Sequence, residues 1–233
     1  MATKTANKRK KPPIYPHFYQ VKVSEVLRSQ DLWWAVYFFV LLQTGLFLLM
    51  MAGTTENSLP FIIGGVAVGM WTVSHALMVS NKRQVKKLRY DGIHKGRVIG
   101  VVLGLFVFIY AMSFVLLAFG IRPMVQPNQE TVNVIMNQQF WPMAFMTIVV
   151  APVTEELVFR ELLPYAGGKS RMSFIIASLM FTLLHAPVGL TGWLLYGGIS
   201  FAFMYLRLKG NNIQQAMVGH VAYNLISTLL SVL

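Results

Sequence analysis

Seven apolar stretches leave this chain little choice of fold; they lie near residues 32–52, 60–80, 98–119, 140–163, 172–187, 190–207 and 213–233. A run of about 20 apolar residues matches a hydrocarbon core about 30 Å thick. A chain that crosses lipid must also satisfy its backbone hydrogen bonds within the crossing segment, which a helix does. The expected fold is all-α, a polytopic membrane bundle of about seven helices. Composition agrees: 55% of the residues are hydrophobic and 12% charged, with a mean hydropathy of +0.56, whereas soluble domains carry about 25% charged residues.

The formal charge of +12 invites a nucleic-acid partner, but the placement of the basic residues argues for a membrane instead. Seven of the twenty Lys and Arg precede Asp31, and seven more lie between the second and third stretches. Lys169 and Arg171 follow the fourth stretch, and Arg207 and Lys209 follow the sixth. The loops at 53–59 and 120–139 carry only Arg122. Every second loop is basic, which places the amino terminus in the cytoplasm and, with seven spans, the carboxyl terminus outside. The arm "KTANKRKKPP" then reads as a topogenic anchor at the lipid bilayer, with no nucleic acid as partner. The first apolar run begins more than thirty residues into the chain and lacks a small-x-small cleavage pattern, so it is expected to be a retained span of a cell-membrane protein. The absence of cysteine excludes disulfides, thiolate nucleophiles and Cys-ligated metals. Three parts are expected: a basic arm over 1–31, three spans with few ionisable groups over 32–139, and a core over 140–233 that holds the remainder.

Ionisable side chains inside a bilayer are costly, by about 2.5–3.5 kcal/mol each on insertion scales, and they usually serve a function. The second half of the chain holds Glu155, Glu156 and Arg160 in "VTEELVFREL", His185 in "FTLLHAP", and His220 with Asn224 in "GHVAYN". Glu156 and Arg160 are four apart on one helix face, in the favourable order for an ion pair. Glu155 points about 100° away and is free of that pair. A carboxylate beside a fixed cation, yet not held by it, can act as a base. His220 and Asn224 also share a face, and their donors suit an oxyanion. His185 stands two residues before Pro187, where a helix must end or kink and a water-filled cavity is easiest to build. A helical Glu–Arg pair can be purely structural, and a lone intramembrane His can be a packed one, as His75 is expected to be. Two Glu, two His, an Arg and an Asn within seventy residues are poorly explained by packing alone.

Several chemistries are excluded by what the sequence lacks. No His is followed by Glu, so the helical zinc-protease motif is missing. No Asp follows Asp91, which rules out an aspartyl dyad in the second half, and there is no G-x-S-x-G elbow. Water activated by carboxylate and imidazole remains, with or without a metal.

The residues match three motifs in order: E-E-x-x-x-R at Glu155, Glu156 and Arg160; F-x-x-x-H at Phe181 and His185; and H-x-x-x-N at His220 and Asn224. Over about residues 140–233 the chain resembles the CPBP intramembrane endopeptidases, which include CAAX prenyl proteases and bacteriocin-processing or immunity proteins and are also called the Abi family. Residues 1–139 carry no comparable motif. The resemblance implies a helical bundle with a cavity open towards the cytoplasm, and hydrolysis of a peptide or membrane-protein substrate. Carried over, it gives Glu155 and His185 the activation of water, Glu156 and Arg160 a supporting role, and His220 with Asn224 the oxyanion. One Glu and two His would also make an acceptable zinc site, so a divalent metal stays open. A small-solute transporter, or a non-catalytic immunity or scaffold protein, would place charges in the membrane as well. A transporter, however, should show paired, interrupted spans in two related halves, which this chain lacks. Counting along the expected spans puts Glu155 and His220 at about 10–12 Å depth and His185 at about 20 Å, although all three should be level.

Overall fold

The computed structural model describes residues 22–82 and 93–232, and its secondary structure among them is entirely helical. The basic arm and most of the basic loop after the second span therefore lie outside the described residues. A short helix, α1 (Val23–Arg28), leads into α2 (Gln30–Ala52), whose start is capped by Ser29 Oγ accepting from Asp31 N at 3.2 Å. α3 (Leu59–Lys82) and α4 (Lys95–Ala118) follow. Then come α5 (Pro127–Gln138), α6 (Phe140–Ala166), α7 (Arg171–Leu184), α8 (Gly189–Gly210) and α9 (Ile213–Val232).

The chain folds as a multi-pass helical membrane bundle. Five helices are long and apolar enough to cross a bilayer: α2, α3, α4, α6 and α8. The fifth expected span is shorter than its apolar run, because α7 has 14 residues, about 21 Å of helix. Ser170 caps its start, with Oγ accepting from Ser173 N at 3.1 Å, and the turn before Pro187 ends it at His185. α9 is 20 residues long, but Gln214, Gln215, His220 and Asn224 dilute its apolar character. α5 was not anticipated. It lies within the expected 120–139 loop, with a proline at its first position and a largely polar sequence.

α6 is the central element. In its most apolar stretch 61% is buried, against 17% for α4, which turns Leu103, Val107 and Phe114 outwards as a lipid-facing side chain row. One apolar core joins Phe38 of α2, Ala76 of α3, Val102 of α4, Leu157 of α6, Phe181 of α7, Phe203 of α8 and Ala216 of α9. α2 and α3 approach closely because a Cβ on Gly65 would lie 3.1 Å from the Gly45 carbonyl oxygen.

Two prolines shape α6 itself. It widens to π-helical turns at Met146–Val150 and Val158–Leu162, just ahead of Pro152 and Pro164. A proline has no N–H to donate and its ring crowds the carbonyl four residues back, so the wider turn relieves the clash. Glu155 and Glu156 sit on the α-helical stretch between the two wide turns.

Candidate active site

A cavity of about 460 Å³ opens between α2, α5, α6, α7, α8 and α9. Glu155, His185, His220 and Asn224 all line it, so side chains from three helices meet at one place. His185 reaches the same cavity as Glu155 and His220, although counting along the spans set it deeper. Glu156 and Arg160 do not line the cavity; both are fully buried behind it. The two adjacent glutamates thus face different surroundings, as their 100° offset on a helix requires.

Behind the wall the groups form a chain. Arg160 Nε and Glu156 Oε2 are 3.2 Å apart, an ion-pair contact whose angle falls short of a hydrogen bond. Glu156 Oε1 accepts from His220 Nδ1 at 2.9 Å. The opposite side of that imidazole, Nε2, lies 4.0 Å from Glu155 Oε2. Arg160 also donates from Nη2 to Ser200 Oγ at 3.3 Å, and that hydroxyl donates to the Ser178 carbonyl at 2.9 Å. The guanidinium carbon rests 4.8 Å from the centre of the Phe181 ring. Phe181, first of the F-x-x-x-H pair, therefore touches both Arg160 and His185, whose ring centre is 4.3 Å from its own. Phe203 stacks on His220 at 4.5 Å.

Each histidine has one nitrogen engaged. Nδ1 of His185 donates to the Phe181 carbonyl at 2.7 Å, which directs an unprotonated Nε2 away from its own helix. Nδ1 of His220 is engaged by Glu156, and with a second proton on Nε2 the ring becomes an imidazolium flanked by two carboxylates. Asn224 owes its position to Pro152. In the wide turn the Ala151 N–H bonds to the Met146 carbonyl, so the donor due to the next carbonyl, that of Thr147, would be residue 152, a proline. Asn224 Nδ2 donates to that carbonyl instead, at 2.8 Å.

Further residues that sequence reasoning passed over also matter. Tyr196 of α8 lines the cavity, its ring 4.7 Å from that of His185. Gln126, nearly fully buried, clamps the turn after His185: its Oε1 accepts from Val188 N at 2.9 Å and its Nε2 donates to Val188 O at 3.2 Å. That turn needs holding, because Ala186 adopts φ +48°, a left-handed conformation strained for a residue with a Cβ. Glu161, the last acidic residue of "VTEELVFREL", pairs with Arg207, whose Nη2 and Nε lie 2.7 and 3.0 Å from Glu161 Oε2. This buried pair ties the end of α6 to the end of α8. Neither the Gln126–Val188 nor the Glu161–Arg207 partnership follows from spacing, since they join residues 62 and 46 positions apart. His75 is a packed histidine, as expected: Nδ1 meets the Tyr37 hydroxyl at 3.0 Å among Trp34, Phe38 and Trp71.

The donor set does not fit a zinc ion. Its bonds to nitrogen and oxygen run about 2.0–2.2 Å and need ligands that converge. Among the described residues no group of three His or acidic side chains comes together at such spacing.

Stretches of three curated proteins are similar to this chain. An uncharacterised protein of Mycoplasma capricolum is 33% identical over 88 residues, covering 36% of this chain and 26% of that protein. In Lactococcus lactis, UPF0177 protein YvdC is 30% identical over 108 residues, covering 45% and 41%, and UPF0177 protein YxdF is 31% identical over 78 residues, covering 33% and 43%. The matched part of this chain therefore spans less than half the length of each of these relatives. No solved structure matches the chain. Residues 137–226, which contain every residue of the three motifs, match the family model described as type II CAAX prenyl endopeptidase Rce1-like, and over that segment the chain is similar to this family.

Proposed function

We propose that this protein is an intramembrane endopeptidase that hydrolyses a peptide bond of a peptide or membrane-protein substrate with water activated by Glu155 and His185. The observation that supports this most is the separation of the polar residues into two sets. Glu155, His185, His220 and Asn224 line the cavity, while Glu156 and Arg160 stand behind it and hold His220. A purely structural ion-pair network has no need to present a carboxylate and two imidazoles to a common cavity.

The step follows from the donors and acceptors available. Glu155 takes a proton from a water whose oxygen attacks the carbonyl carbon of the substrate, and the unprotonated Nε2 of His185 accepts that water's other hydrogen as a hydrogen bond and orients it. The carbonyl oxygen becomes an oxyanion, which receives donation from Nε2 of a protonated His220 and from the second N–H of Asn224. Collapse of the tetrahedral intermediate breaks the C–N bond, and Glu155 returns its proton to the leaving nitrogen. Glu156 and Arg160 act through His220 and are positioning residues.

The test is cleavage of candidate membrane peptides by purified protein. Glu155→Gln keeps size and hydrogen bonding but removes basicity, so it should lower turnover by about 10²–10⁴-fold with an unchanged thermal melt. Asn224→Ala should cost about 10²–10³-fold. Cleavage by Glu155→Gln at close to the wild-type rate would remove that residue from the mechanism and leave the cluster a structural or transport role.

A further inference from the structure

Among the described residues, the cavity and most of the basic side chains occupy opposite ends of the bundle. Short connections at 53–58, 167–170, 185–188 and 211–212 make successive long helices antiparallel, so their ends fall on two faces. One face collects Arg28 before α2, Lys95 and Arg97 at the start of α4, Lys169 and Arg171 between α6 and α7, and Arg207 and Lys209 at the end of α8. Cross-links agree with this assignment: Arg97 Nη1 donates to Gln215 Oε1 at 3.3 Å near the start of α9, and Arg207 pairs with Glu161 near the end of α6. The other face holds α5, Arg122, Glu56 and Glu130.

The cavity extends towards that second face. It is lined by the latter part of α2 from Phe39, by α5, by the end of α7, by the first half of α8, and by α9 from His220 to Ser231. Along α9 the lining residues Asn224, Ser227, Thr228 and Ser231 continue the His220 side as a polar stripe running to the far helix end. Such a stripe is costly against lipid and fits a path that admits water and polar backbone. The wall includes the amides of Asn128, Gln129 and Asn133 on α5, and among the described residues no Lys or Arg.

We propose that the cavity is open to the non-cytoplasmic side, with α5 as its outer wall, and that it receives an extended peptide chain from that side. The orientation rests on the basic face being cytoplasmic, and the peptide as occupant rests on the endopeptidase reading above. It departs from the cytoplasmic opening that the family resemblance implies. Neutral amides and hydroxyls match a peptide backbone, which offers one donor and one acceptor per residue.

The cysteine-free chain makes the test direct. Asn133→Cys and Ser231→Cys, made separately in the full chain, would be treated with a membrane-impermeant maleimide on spheroplasts of a bacterial host, with Lys169→Cys as the opposite-face control. Both cavity positions should react on intact spheroplasts and the control only after lysis, and reaction at position 133 should abolish cleavage of a quenched peptide. Reaction of the two cavity positions only after lysis, or only in denaturant, overturns the proposal. The endopeptidase reading fails separately: outside labelling with no cleavage above that of Glu155→Gln keeps the opening and discards the protease. Glu155-dependent cleavage in detergent with labelling confined to lysed cells does the reverse.

Discussion

Glu156 has two partners and no surface, and that makes Arg160 the most informative single residue outside the cavity wall. The carboxylate contacts Arg160 on one oxygen and His220 on the other, with both carboxylate and guanidinium fully buried. Removing one partner of a buried pair leaves an uncompensated charge and costs about 3–5 kcal/mol. Arg160→Ala is therefore expected to lower folding yield and thermal stability, and to lower turnover as His220 loses its fixed support. Arg160→Lys should recover only part of both, because an ammonium cannot contact Glu156, Ser200 and the Phe181 ring with one planar group. Thermal melts and cleavage assays on the two variants check this, and wild-type values for Arg160→Ala would show that the pair supports nothing. The i,i+4 spacing made the Glu156–Arg160 contact legible in sequence. The further link to His220 was not, because it depends on how α9 is rotated against α6, and rotation is set by packing on residues such as Ala216 and Leu157.

At the scale of elements, hydropathy located every long helix, while polarity hid α5 and the chemistry of proline hid the shape of α6. α5 carries enough apolar residues, among them Val132, Ile135 and Met136, to pack on Leu42, Leu46 and Leu49, but too few to stand out as an apolar run. Pro152 and Pro164 lie inside a stretch that reads as one continuous span, and the helix accommodates both by widening. The consequence of Pro152 is chemical as well as geometric, because it leaves the Thr147 carbonyl for Asn224. Pro152→Ala restores an N–H at that position and lets the turn tighten. We expect a thermal melt at or above that of wild type, together with a loss of turnover of about 10²-fold, the scale associated with a misplacement of about 1 Å. A Pro152→Ala protein that turns over substrate like wild type would show that the wide turn does not set the position of Asn224.

At the scale of the whole molecule, the polar residues that mark a core over 140–233 leave the role of the first three spans open, and the packing argues that the core needs them. The apolar core that surrounds Leu157 and Phe203 includes Ala35, Phe38, Ala76, Val79, Val98 and Val102 from α2, α3 and α4. The cavity takes part of its wall from Phe39, Leu42 and Gln43, and another part from Asn128 and Asn133. Without those segments Glu155 and His220 would face lipid or headgroups on an open side, and the exclusion of bulk solvent that strengthens buried electrostatics would be lost. Residues 140–233 expressed alone are therefore expected to show no Glu155-dependent cleavage. Helices of a membrane bundle can insert separately and then associate through packing and interhelical hydrogen bonds. Co-expression of residues 1–139 as a second polypeptide should accordingly restore measurable cleavage, with the close approach at Gly45 and Gly65 keeping α2 and α3 together as a unit. The measurement is peptide cleavage by purified membranes containing the fragment alone, the pair, and the pair with Glu155→Gln. Cleavage by the lone fragment at the rate of the full chain would mean that the first three spans serve some purpose other than completing the site.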